Sequence, residues 1–140
     1  MIIILDTNVV SELIDENMAD AVARWIKQHR ASDLCTTVIT EAELFYGAVR
    51  LPDGKRKLAL QTTLERIFRL RFRDRVLSFD SAAARNFGDV VVSRQRNGRT
   101  YAYADAQIAA IARSRGAAVA TRNVGDFEHC GIEVINPWTV

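Results

Sequence analysis

The stretch Ile2-Ile3-Ile4-Leu5 runs without interruption into Asp6-Thr7-Asn8. An apolar run with no polar alternation leaves no solvent face, so as a strand it must be covered on both sides. That requires a sheet with helices above and below, which favours parallel strands. In open sheets of this kind, ligands bind outside the carboxyl ends of the strands. Asp6 therefore stands at the mouth of any site the fold builds.

The remaining pattern agrees with that architecture. Helical spacing predicts a short helix over 9–14 and another over 19–29, where Ala21, Val22, Trp25 and Ile26 recur on one face. Residues 34–39 read as a second strand, and Thr40 as the N-cap of a helix through 49. Leu51-Pro52-Asp53-Gly54 is a turn signal before a longer helix over 55–68. The 76–79 segment is short and ambiguous; Asp80 or Ser81 caps the helix that follows, towards residue 96. A helix over 104–115 stopped by Gly116, a strand over 117–121 and a last strand over 132–135 before Pro137 complete the chain. The expected fold is α/β, with a mostly parallel central sheet flanked by helices on both faces.

At 140 residues the sequence is expected to form a single domain over 1–140, large enough for a substantial core. Cys35 and Cys130 are isolated thiols that read as small hydrophobes, and neither they nor His29 and His129 have zinc-ligand spacing. No basic leader and no apolar stretch of about 20 residues is present, so a soluble cytoplasmic protein without a membrane partner is expected.

Four acids are expected at the carboxyl edge: Asp6, Glu43, Asp105 and Asp126. Each has an ordinary structural account. Asp6 can cap the following helix, and Glu43 stands at capping-box distance from Thr40. Asp105 complements a helix amino terminus, and Asp126 shares a turn with Asn123 and Gly125. Together these accounts weaken. Two carboxylates about 4 Å apart repel by roughly 4 kcal/mol at an effective dielectric near 20. Converging acids must then protonate, spread apart or bind a cation. With only oxygen donors, Mg²⁺ or Mn²⁺ fits better than zinc.

The segments Ile3-Ile4-Leu5-Asp6-Thr7-Asn8-Val9 and Thr37-Val38-Ile39-Thr40-Glu41-Ala42-Glu43-Leu44-Phe45-Tyr46-Gly47 carry a resemblance. Asp105-Ala106-Gln107-Ile108-Ala109-Ala110-Ile111-Ala112, Thr121-Arg122-Asn123-Val124-Gly125-Asp126-Phe127 and the closing Val134-Ile135-Asn136-Pro137-Trp138 extend it. In that order, the chain resembles the PIN-domain ribonucleases, and among them the VapC and FitB type toxins of bacterial toxin–antitoxin pairs. The resemblance implies a PIN-like fold and a metal-dependent ribonuclease in which Asp6, Glu43 and Asp105 bind the catalytic Mg²⁺ or Mn²⁺. Glu43 holds the motif position, directly before Leu44 and four residues before Gly47; Glu41 would point about 200° away on a helix. The fourth position departs from the pattern: Asn123 stands where an acid is often found, and either Asp126 or Asn123 completes the set.

The resemblance further implies an RNA substrate cut to leave a 5′-phosphate and a 3′-hydroxyl. It implies a small DNA-binding antitoxin as cognate partner, contact with operator DNA only through that antitoxin, and a homodimer. Three or four carboxylates permit two-metal catalysis without requiring it.

Net charge is only +2, but Arg66, Arg69, Arg71, Arg73 and Arg75 form one basic group and Arg94, Arg96 and Arg99 another, with Arg122 beside the fourth acid. Any of these is placed to attract phosphate, or simply to face solvent. Tyr101 and Tyr103 are candidates for stacking on a base or for packing. Two other classes stay open on the sequence. A Mg²⁺-dependent phosphotransfer domain also ends its first strand in Asp, but wants a paired acid or a second Asp where Asn8 stands. A non-catalytic interaction module would keep the fold without needing its acids.

Overall fold

The computed structural model describes residues 1–140. The opening apolar run forms β1 (Ile3–Leu5), buried throughout, at the centre of a five-stranded sheet. The helix α1 (Thr7–Ile14) follows at once, then α2 (Asp20–Lys27), β2 (Leu34–Thr37), α3 (Val38–Val49) and α4 (Lys55–Arg66). After a π-helical turn over Ile67–Arg71 come β3 (Val76–Leu77), α5 (Ser81–Arg96), α6 (Tyr103–Arg115), β4 (Ala118–Ala120) and β5 (Val134–Ile135). The strand order is β3-β2-β1-β4-β5, and every pairing is parallel. The order reverses between β1 and β4, so the crevice at the carboxyl ends of those two strands is the switch point of the sheet.

Two-residue alternation divides the core between the faces. Ile3, Leu5, Ala118 and Ala120 pack with Val9, Val22, Trp25, Leu64 and Phe72 on one side. Ile4 and Val119 pack with Val90, Ile108 and Ile111, from α5 and α6, on the other. Alanines fill much of α6, which lets that helix approach the sheet and α5 closely. Cys35 and Cys130 are buried free thiols inside the same cluster. No helix is long and apolar enough to cross a membrane.

The helix after the second strand begins three residues earlier than the pattern predicts. Thr37, not Thr40, is the N-cap: its backbone is extended and its Oγ1 accepts the amide of Thr40 at 3.2 Å. Val38 and Ile39 therefore belong to α3, because a short apolar run fits a buried helix turn as well as a strand. Thr40 is itself fully buried, with its hydroxyl 3.1 Å from that of Thr7. The shift removes the capping-box account of Glu43, which now lies beyond the first turn and out of reach of the cap amide. Asp80 settles the other ambiguity by accepting the amide of Ala83 at 3.0 Å, and Gly116 ends α6 in the left-handed conformation at φ 63°.

Candidate active site

Asp6 is delivered by β1 and fixed by the backbone on both sides. Its amide donates to the carbonyl of Ala120 on β4, and its own carbonyl accepts the first bonds of α1 from Val9 and Val10. The residue is only 5% exposed, and Oδ2 accepts a 2.8 Å hydrogen bond from Thr121 Oγ1. Thr121 is fully buried just past β4, and its Oγ1 also lies 3.1 Å from the amide of Asn123 and 3.4 Å from Nδ2 of Asn8. Asn8 returns across the crevice, where its Oδ1 accepts the amide of Arg122 at 3.2 Å. Asp6-Thr7-Asn8 and Thr121-Arg122-Asn123 are thus laced together over the switch point. Asp6 is not a helix cap in the side-chain sense, since its carboxylate makes no capping bond to α1.

The other acids arrive from different elements. Glu43 comes from α3, Asp105 from the first turn of α6, and Asp126 from a short 3₁₀ turn over Val124–Asp126. Their convergence is visible in their electrostatics. Asp105 is pushed up to about 6, first by burial and then by the fields of Asp6, Asp126 and Glu43, with Arg94 pulling the other way. Partial desolvation at the crevice and then the field of Asp6 raise Glu43; the Thr7 hydroxyl opposes them. Burial, and more weakly Asp126, raise Asp6 against the Thr7 amide and the Thr121 hydroxyl. Asp105 thus lies within the fields of the other three acids, while Glu43 feels Asp6 and Asp6 feels Asp126. They do not close into a tight shell: no three His, Cys, Asp or Glu side chains are gathered as a ready-made ligand set. Burial first, and repulsion from neighbouring carboxylates second, raise Asp105 and Glu43.

A donor set made only of carboxylates and hydroxyls fits a hard divalent cation, whose charge would offset that repulsion. Asp6, Glu43, Asp105 and Asp126 are the residues that would hold it. Asn123 is exposed beside them, its backbone N–H donating to Thr121 Oγ1.

The raised Asp105 has a consequence for stability in metal-free buffer. A carboxyl at about 6 in the folded chain, against an ordinary 3.8, holds its proton more tightly folded than unfolded. Stability should therefore fall as pH rises from about 4 to about 6 and then level off. For this partly exposed group the loss should be of order 1 kcal/mol once solvent screening is allowed for. Urea unfolding at about pH 4 and at about pH 7.5, near the ordinary carboxyl value and well above the raised one, checks it. Asp105→Asn should flatten the change, and an equal slope in both proteins would refute the assignment.

The basic groups divide in the structure. Arg94 is 5% exposed and turned inward, so it is not part of a phosphate-attracting surface. Arg75 is half-buried, its Nε donating to the Leu34 carbonyl at 3.1 Å, and it lines with Arg71 and His29 an apolar cavity of about 350 Å³ away from the acids. Arg122 remains at the site, exposed, with its guanidinium 5.1 Å from the Trp138 ring centroid. Tyr103 stands 69% exposed at the start of α6, stacked on Phe87 at 5.8 Å and edge-on to Tyr101 at 5.6 Å.

The sequence pattern does not mark Thr121 or Asn8 as supports of Asp6, and it reads Arg94 as a phosphate-attracting or solvent-facing cation where the structure buries it. A small hydroxyl residue closing an apolar strand next to the Asp6 strand was a signal for Thr121. Nothing local to residue 94 distinguishes a buried arginine from a solvated one on α5.

Residues 3–131 match the family model of the PIN domain. The chain is 40% identical over 136 residues to the VapC ribonuclease Y4jK of Sinorhizobium fredii, covering 97% of each chain. It is 35% identical over 136 residues to the toxin FitB of Neisseria gonorrhoeae, covering 97% of this chain and 98% of that one. Among solved structures, FitAB bound to an IR36 DNA fragment superposes with a TM-score of 0.92 at 33% identity, covering 99% of this chain and 97% of that chain.

Proposed function

The chain belongs to the PIN domain family, and from that premise we propose that it is a Mg²⁺-dependent endoribonuclease, the toxin of a toxin–antitoxin pair. The reading rests on the place of Asp105, which lies in the fields of Asp6, Asp126 and Glu43, three acids that reach the carboxyl edge of the sheet from three other elements. The near-full-length relatives named as a ribonuclease and as a toxin support the same reading.

In this reading the four acids hold Mg²⁺, with Mn²⁺ as a substitute, and residues 1–140 act as one PIN domain. The bound cation supplies an activated water and offsets charge developing on the scissile phosphate. The residues prepare for this. Thr121 donates to Oδ2 of Asp6 and so fixes the orientation of its carboxylate. Asn8 holds the segment after β4 against α1, which keeps the Asp126 turn beside the crevice. Arg122 offers a cation at the rim for the RNA backbone.

The partner in this reading is a small DNA-binding antitoxin, with operator DNA contacted through it; the FitAB–DNA complex supports that arrangement. Its inhibiting segment would present a cation, most suitably an arginine, to the carboxylates. The protein would work in the cytoplasm as a homodimer.

Expression alone should arrest growth, and co-expression of the adjacent small reading frame should relieve the arrest and yield a copurifying complex. A harmless protein with no captured partner would end the toxin reading. The fourth position is tested separately. Asp126→Asn should reduce cleavage more than Asn123→Ala, because only Asp126 contributes charge to the field on Asp105. Negligible effects of both would make the centre a triad.

A further inference from the structure

Arg94 is a buried guanidinium with no carboxylate bonded to it. Its Nε donates to the carbonyl of Thr100 at 2.7 Å, and its Nη1 to the carbonyls of Gly125 at 3.1 Å and Glu128 at 2.8 Å. The chain is brought back over it by the end of α5. The Arg99 amide donates to the Arg94 carbonyl at 2.9 Å and the Gly98 amide to that of Gln95 at 3.1 Å, with Gly98 at φ 70°. These two bonds are the Schellman pattern, which needs a left-handed residue at the Gly98 position. Thr100 lies two residues before the cap of α6, the helix that carries Asp105 in its first turn. Gly125 and Glu128 bracket Asp126. One side chain therefore ties together the two loops that deliver two of the four acids.

We infer that Arg94 is the positioning residue of the metal site, a buried clamp that holds the Asp105 helix start and the Asp126 turn at a fixed separation. The inference rests on the acid cluster being the metal site. The geometry suits arginine alone. Three carbonyls approach from two loops, and a planar fork can donate along separate directions, whereas a lysine ammonium is a compact point charge. The distribution of carbonyl acceptors also explains why a full positive charge is tolerated here: it is satisfied by dipoles and lies within the field of the acids. A second link, the ion pair between Arg99 and Glu128 at 2.9 Å, joins the same two loops but is near half-exposed at both ends. An exposed pair of this kind holds far less firmly than a buried network.

The test compares wild type with Arg94→Lys and Arg94→Gln, each first shown to be folded by its thermal transition. Mn²⁺ affinity is measured by electron paramagnetic resonance well below the melting temperature, and amide exchange is followed over 100–106 and 123–128. Both variants should bind Mn²⁺ roughly 10–100-fold more weakly, the range for losing an outer-shell partner of a metal site. Amides of both loops should exchange faster while those of β1 and β4 stay protected. On RNA, kcat should fall with KM little changed, because Arg94 is buried away from substrate. Adding ethylguanidinium to a folded Arg94→Ala protein should recover Mn²⁺ affinity where ethylammonium does not.

Should the glutamine variant not fold, the lysine variant carries the same comparison with the charge kept. Mn²⁺ affinity within twofold of wild type in a folded variant overturns the inference, as does faster exchange spread evenly over the whole protein. A wild type that binds Mn²⁺ and leaves RNA intact would defeat the nuclease reading instead, and the metal comparison would still decide the role of Arg94.

Discussion

Asp6→Asn and Asp105→Asn should each abolish Mg²⁺-dependent RNA cleavage while leaving a folded protein. The loss should exceed the roughly 10–100-fold that removal of an outer-shell partner costs, because each substitution removes a charge from the ligand set proposed for the cation. Folding should survive for a structural reason. Thr121 Oγ1 donates to Oδ2 of Asp6, and an asparagine amide oxygen can accept the same bond. At residue 105 the carboxyl is raised by burial and by three neighbouring acids, so a neutral amide removes repulsion. Steady-state cleavage at saturating Mg²⁺, beside a thermal melt in chelator, checks both halves. Wild-type rates in either folded variant would remove that residue from the site.

The second large effect separates two glutamates on one helix. Glu43→Gln should cripple cleavage, whereas Glu41→Gln should leave it within a few-fold of wild type. Glu43 feels the field of Asp6 and faces the Thr7 hydroxyl, while Glu41 lies two residues away, on a different side of α3. Because α3 begins at Val38, neither residue is needed to cap it, so loss of activity in the Glu43 variant reports on chemistry and not on helix stability. Parallel kinetics on the two purified proteins checks this. The opposite ranking would mean that Glu41 is the ligand.

The features legible in the residue pattern are mostly local. Ile2 to Leu5 announces a doubly covered strand, Asp6 its carboxyl edge, and Gly116 the end of α6. These rest on patterning and on a left-handed cap, which a few adjacent residues determine. The pattern misplaces the start of α3 because Val38 and Ile39 satisfy a strand and a buried helix turn equally, and a tertiary partner decides between them. Thr40 is buried against Thr7, 33 residues away, and that contact belongs to the helical form.

The site shows the same division. That the four acids reach the carboxyl edge of the sheet is legible from the elements that precede them. What holds them is not, because it is assembled from distant segments. Thr121 reaches Asp6 across 115 residues, and Arg94 reaches Gly125 and Glu128 across 31 and 34. An arginine in a basic stretch looks solvated until the fold turns it inward. The strand order β3-β2-β1-β4-β5, which puts the switch point of the sheet at the β1–β4 crevice, is likewise a non-local fact.

The most direct test of a carboxylate-held Mg²⁺ ribonuclease is cleavage of end-labelled RNA by the purified wild-type protein, assayed with Mg²⁺, with chelator, and with Mg²⁺ restored. The account predicts fragments bearing 5′-phosphate and 3′-hydroxyl ends in Mg²⁺, none in chelator, and full recovery when the cation returns. Cleavage that persists undiminished in chelator, or products ending in a 2′,3′-cyclic phosphate, would contradict it.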